Sequence, residues 1–268
     1  MSMFRKLARK LQGPRSHVST EEKAWVERRM AWLKEQFGPG PIRRVPLDPT
    51  SEVLPKKWDG SYTAGADLFN RLCGFMLVNA ETLNLHFYSK SESHEIDSPS
   101  AGQSQSSGPA GMYFEAKDRP KRVIALEEEG LQHPAQLAAT ICHELAHVHL
   151  LGEKRLKPDE EDGEPLTDLL TVYFGAGILT ANSVFQFTQW QSGTRQGWNA
   201  SRQGYLSEPL YGYALACFSW YRGDLEARWR KHLRQNIEYY FSDAMHFLAT
   251  TSDTTLAFNG ASSSPLVA

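Results

Sequence analysis

The sequence predicts an α+β fold, mostly helical, with a small mixed sheet immediately ahead of one central helix. Three observations lead there: apolar residues recur at helical spacing over most of the chain, short stretches between residues 83 and 127 switch to strand signals, and the helical period resumes at Pro134. The 268 residues, 41% hydrophobic and 22% charged, suffice to bury a sizeable interior. Because 29 Lys+Arg nearly balance 31 Asp+Glu, no charge excess marks a nucleic acid as partner, and none is expected.

Ser19 with Glu22 forms a capping-box pattern ahead of Trp25, Met30, Trp32, Leu33 and Phe37, and Gly38-Pro39-Gly40-Pro41 ends that segment, which places a helix near 20–37. Pro46, Pro49 and Pro55 mark an extended connection. Leu68, Leu72, Phe75 and Met76 give a second helix, after which Leu83, Leu85 and Phe87 alternate with Asn84, His86 and Tyr88 as in a half-buried strand. Residues 91–111, rich in Ser, Gly, Gln and Pro, read as a flexible loop, and strands resume in 112–116 and 122–127 around a charged turn at Asp118-Arg119-Pro120. Pro134 opens a helix whose apolar content runs through Leu151 to a stop at Gly152. Beyond an acidic connection, a buried helix is expected from near Pro165, continuing through the uncharged run 169–194. Ser207-Glu208-Pro209 starts another helix and Gly223 ends it; Asp224 is expected to cap a last one carrying Leu225, Trp229, Leu233, Ile237, Phe241, Ala244 and Leu248. The expected organisation is a basic extension at 1–18, a single domain at 19–252 and a disordered tail at 253–268.

No apolar stretch of the kind a secretory signal needs follows the basic N-terminus. Phe4, Leu7, Ala8 and Leu11 stand at helical spacing beside Arg5, Lys6, Arg9 and Lys10, a pattern open to a membrane-surface helix or a frayed terminal one. Thr171, Thr180, Asn182, Ser183, Gln186 and Gln189 interrupt the uncharged run, so no integral membrane span is expected. Cys73, Cys142 and Cys217 are odd in number and lack CxxC spacing, which fits neither a disulfide framework nor a cysteine zinc site and suits a reducing, cytoplasmic location.

The chemistry lies in Ile141-Cys142-His143-Glu144-Leu145-Ala146-His147. Residues four apart on a helix stand one above the other, so His143 and His147 can present two imidazoles to one metal, with Glu144 about 100° round from His143. This is the HExxH spacing of zinc metalloproteases, which at this composition arises by chance in about one chain in fifty. The alternative is two ordinary surface histidines. Catalytic zinc commonly takes three protein ligands and keeps a position for water, so a third ligand is required. The metzincin pattern fails, because Leu150 holds its glycine position and Glu153 its last histidine position; Glu153 stays open as a carboxylate ligand. His149 projects about 200° away from His147 and reads as a packing or capping histidine. Glu164 and Asp168, four apart after the acidic connection, can divide the work, one carboxylate binding metal while the other orients an imidazole through its free N–H. Glu161 and Asp162 remain alternatives, and all these acids could instead simply answer a helix dipole.

HExxH followed downstream by ExxxD resembles the gluzincin class of zinc metallopeptidases, of thermolysin and CAAX-prenyl-protease type. The two motifs span residues 142–169, about a tenth of the chain; the first is specific and the second common. The resemblance implies a zincin-like domain and zinc-dependent hydrolysis of a peptide or protein substrate. It makes His143, His147 and Glu164 the zinc ligands, Glu144 the general base, and Asp168 the partner of an imidazole. It also implies a sheet ahead of the active helix whose edge strand lies along the substrate cleft, matching 112–116 and 122–127. For the developing oxyanion, Tyr205 is the first choice of donor, followed by Tyr211, Tyr213 and His232, although an aromatic core role competes for each. Glu208 reads as first-turn helix chemistry and Cys142 as packing among Ala138, Ala139 and Leu145. No GxSxG, P-loop or GxGxxG is present. The rival to a zinc hydrolase is a catalytically inactive metal-binding domain that recognises a partner protein.

Overall fold

The computed structural model describes residues 13–89, 110–114, 121–191 and 206–258. The expected N-terminal amphipathic segment, nearly all of the 91–111 loop, the charged turn at 118–120 and the last ten residues of the tail lie outside them. In chain order the elements are α1 (Thr20–Phe37), α2 (Tyr62–Met76), β1 (Leu83–Tyr88), β2 (Gly111–Phe114), β3 (Arg122–Glu127), α3 (Pro134–His147) continued by a π-helical turn (Val148–Gly152), α4 (Gly163–Tyr173), α5 (Gly177–Gln191), α6 (Glu208–Arg222) and α7 (Gln235–Thr251). This is the expected α+β fold, helical with a small mixed sheet ahead of α3. The chain divides into two compact units, one of residues 46–205 and one of residues 1–45 with 206–268.

In the unit of residues 46–205 the sheet order is β1-β3-β2, with β3 parallel to β1 and antiparallel to β2. Val123, Ile124, Ala125, Leu126 and Glu127 are all buried, as a central strand covered on both faces requires. The alternation expected of β1 breaks at its end, where Tyr88 turns inward and is buried. Ser61 caps α2 by accepting from the Ala64 N–H. Helix α3 is buried at every residue from Leu137 to Ala146, and α2, α4, α5 and β2 pack around it. A helix enclosed this way needs apolar residues all round, so its polar residues stand out. The uncharged run is two helices, not one: Gly175, at φ +90°, takes a left-handed conformation that an L side chain resists, and reverses the chain between α4 and α5.

In the other unit, α6 packs against α1 and α7. The capping box of α1 forms as expected, the Glu22 N–H donating to Ser19 Oγ and the Ser19 N–H to Glu22 Oε2. Buried Glu27 accepts from Tyr213 Oη at 2.7 Å and from the Thr255 N–H and hydroxyl at 2.9 and 2.7 Å, which fixes part of the segment expected to be a disordered tail. The last helix starts at Gln235 rather than Asp224. The Asp224 side chain accepts from the Ala227 N–H and from Trp229 Nε1, folding 224–229 into a turn that leads to a short 3₁₀ segment.

Candidate metal centre

His143 and His147 project from the last two turns of α3, and Glu164 meets them from the first turn of α4. One donor atom from each lies within 4.8 Å of the others. Glu164 Oε2 is 3.1 Å from His143 Nε2 and 3.5 Å from His147 Nε2. Ligands about 2.0–2.1 Å from a tetrahedral zinc stand ~3.3 Å apart, so these two separations suit two edges of such a polyhedron. Two imidazoles and a carboxylate are donors that a borderline divalent ion accepts, and the residues fit a metal.

The other ring nitrogens are held from behind. His143 Nδ1 lies 2.9 Å from Asp168 Oδ1, and both residues are buried. His147 Nδ1 lies 3.4 Å from Thr167 Oγ1, whose hydroxyl donates to Gly163 O. A carboxylate behind one ring and a hydroxyl behind the other favour Nδ1–H on both, leaving Nε2 to a metal. Tyr113 of β2 stacks on His147, with ring centroids 6.4 Å apart and planes 17° from parallel. Burial works against a charged His143, but the hydrogen bonds to Asp168 and Glu164 outweigh it and hold its pKa well above the ordinary value. Burial would likewise raise Glu164, yet its contacts with both imidazoles bring it far below the usual carboxylate range. A metal ion therefore competes with a proton held between His143 and Glu164.

Glu144 is buried on the same helix and belongs to no donor set. Among the described residues its carboxylate has no hydrogen-bond partner; burial raises its pKa, against the pull of the two histidines. Strand β2 passes close over it: a Cβ on Gly111 would lie 2.5 Å from Thr140 Cγ2 and 2.9 Å from Glu144 Oε1. Gly111 and Tyr113, two residues apart, thus face α3 from β2, the edge strand next to β3.

The structure sorts the other candidates. Glu153 contacts His149 Nδ1 and Arg155 Nε, each at 2.9 Å, and stays out of the donor set. His149 is buried, with Nε2 2.7 Å from Met76 O and its ring on Phe174, a packing role. Asp162 is the residue preceding α4, and neither it nor Glu161 joins the donors. Cys142 is buried and free, its thiol pKa pushed up by desolvation. Tyr213 is committed to Glu27; Tyr211 and His232 also belong to the unit of residues 1–45 and 206–268. Tyr205 lies outside the described residues.

Sequence reasoning missed Gly111, Tyr113 and Thr167. A signal existed for Thr167: Glu164, Thr167, Asp168 and Thr171 repeat at i, i+3, i+4 and i+7, one polar face of an otherwise apolar helix. None existed for Gly111 and Tyr113, which reach α3 only through strand pairing. Among the described residues, no helix is long and apolar enough to cross a membrane. Comparisons with protein-family models, with curated proteins and with solved structures return no match.

Proposed function

We propose that the chain is a zinc-dependent peptidase of gluzincin type, hydrolysing a peptide bond with Glu144 as general base. The observation that carries this reading is a three-donor set, two of whose separations suit a tetrahedral ion, beside a buried carboxylate that serves neither the set nor a hydrogen bond among the described residues. A structural zinc site closes with four protein donors and has no use for a base. The chemistry a bound zinc supplies is Lewis acidity toward water and a carbonyl oxygen. Glu144 holds and moves the proton: burial holds its pKa above the ordinary carboxylate value, and its carboxylate can take a proton from the attacking water and pass it to the departing amine. Asp168 and Thr167 keep both imidazoles turned to the centre. Strand β2, running over Glu144 and His147, supports an extended peptide laid along the sheet edge. Tyr205 is the expected oxyanion donor, and Tyr205→Phe should lower turnover without removing zinc. The free, buried cysteines suit a reducing, cytoplasmic setting.

The test compares wild type with Glu144→Gln for zinc stoichiometry and for cleavage of peptide mixtures. We expect equal zinc and a fall in hydrolysis of at least ~10²-fold. Equal cleavage rates would remove Glu144 as the base. Stoichiometric zinc with no cleavage by either protein would establish the metal-dependent binding domain instead.

A further inference from the structure

Beside the donor set lies a cavity of about 170 Å³, bounded on one side by His147, Glu164 and Thr167. Its remaining walls come from the π-helical turn and from the connection to α4. Leu151, Leu156 and Pro165 give it apolar surface, whereas Glu160 and Glu161 bring carboxylates opposed by one cation, Lys157. Glu160 and Glu161 are exposed and precede Asp162, the residue before α4.

We propose that this cavity receives a lysine or arginine side chain of the substrate, next to the scissile bond, which makes the chain a peptidase selective for basic residues. The proposal rests on the hydrolytic reading above. An apolar wall ending in carboxylates matches a side chain whose aliphatic stem wants cover and whose charged tip wants an acid. The length of the stem also keeps that cation away from a metal at the donors, where its charge would be repelled. Two exposed ion pairs, each worth up to about fivefold, set the expected discrimination near tenfold between a basic and an acidic residue.

The test uses peptides identical except at one position beside the bond found by profiling: Lys, Arg, norleucine or Glu. Cleavage is measured with wild type and with the Glu160→Lys/Glu161→Lys and Glu160→Gln/Glu161→Gln variants. Binding of the same labelled peptides is followed by fluorescence anisotropy on the zinc-loaded Glu144→Gln protein, with and without each pair of changes at 160 and 161. Wild type should favour Lys and Arg over Glu by about tenfold in kcat/KM, and the preference should shrink in 1 M salt. The Gln pair should bring Lys down to norleucine, and the Lys pair should invert the order. Hydrolysis with no basic preference, or with one that ignores residues 160 and 161, overturns the subsite and leaves the hydrolytic reading standing. Charge-dependent binding of Lys peptides with no hydrolysis of any peptide supports the subsite and overturns the hydrolytic reading. Neither selective binding nor hydrolysis overturns both.

Discussion

Gly111→Ala tests whether β2 rides on α3. The added Cβ would lie 2.5 Å from Thr140 Cγ2, about 1 Å inside the ~3.5 Å at which carbons meet comfortably. Thr140 is buried on a helix that is packed on all sides, and a β-branched residue there has few rotamers to retreat into. Either β2 lifts or Glu144, whose Oε1 would be 2.9 Å away, is pushed aside. Overpacking of this kind costs about 1–3 kcal/mol, offset by about 0.4–1 kcal/mol from the stiffer unfolded chain. A net loss of about 1–2 kcal/mol lowers Tm by roughly 2–8 °C for a domain of this size. The donor residues are not among the clashing atoms, so zinc content should hold while hydrolysis falls. Thr140→Ala removes the obstructing methyl, and the double variant should regain part of the lost Tm. Thermal melting, metal analysis and cleavage of the best profiled peptide are measured on all four proteins. Wild-type melting of Gly111→Ala, whatever stands at residue 140, would refute this packing of strand on helix.

Three further outcomes follow from the same geometry. His143→Ala, His147→Ala and Glu164→Ala should each lose zinc, whereas Glu153→Ala, Glu161→Ala and Asp162→Ala should keep it; zinc stripped by Glu153→Ala alone would put the third ligand elsewhere. Asp168→Asn should weaken zinc affinity or activity about 10–100-fold, and wild-type values in a competition titration and a rate assay would reduce Asp168 to a packing residue. In metal-free protein, burial raises the Glu144 pKa above its unfolded value, so its penalty is absent below about pH 4.3 and grows as pH rises through the folded value. Glu144→Gln should therefore melt at or above wild type at pH 7, with the gap closing toward pH 4; a lower melting point at neutral pH would show that the charge is satisfied.

What the sequence revealed was local. The Ser19–Glu22 capping box needs only adjacent turns, and it forms as read. The paired imidazoles need only the four-residue spacing of one helix. The third donor was less legible, because only the common ExxxD spacing of Glu164 and Asp168 set Glu164 above Glu153, Glu161 and Asp162. The fold chooses: the π-helical turn leaves Glu153 beside His149 and Arg155, and α4 starts at Gly163, one residue before the carboxylate that meets the histidines. The start of α7 was misplaced for a related reason. Asp224 looks like a cap, but its carboxylate serves a turn closed by Trp229, a contact that depends on where the indole packs.

The costs of burial connect these contacts to function. A buried ionisable group is tolerated where partners satisfy it, and His143 has carboxylates at both ring nitrogens. Glu27 is equally buried and is met by three donors from Tyr213 and Thr255. Glu144 departs from this pattern, since the helix buries it and no described residue gives it a hydrogen bond. Gly111 sharpens the contrast, because the strand that comes close enough to cover the carboxylate offers it no side chain. A carboxylate whose pKa burial raises, beside two imidazoles and a glutamate, supports the proposed hydrolysis, in which its hydrogen-bond partner is a water molecule with its proton.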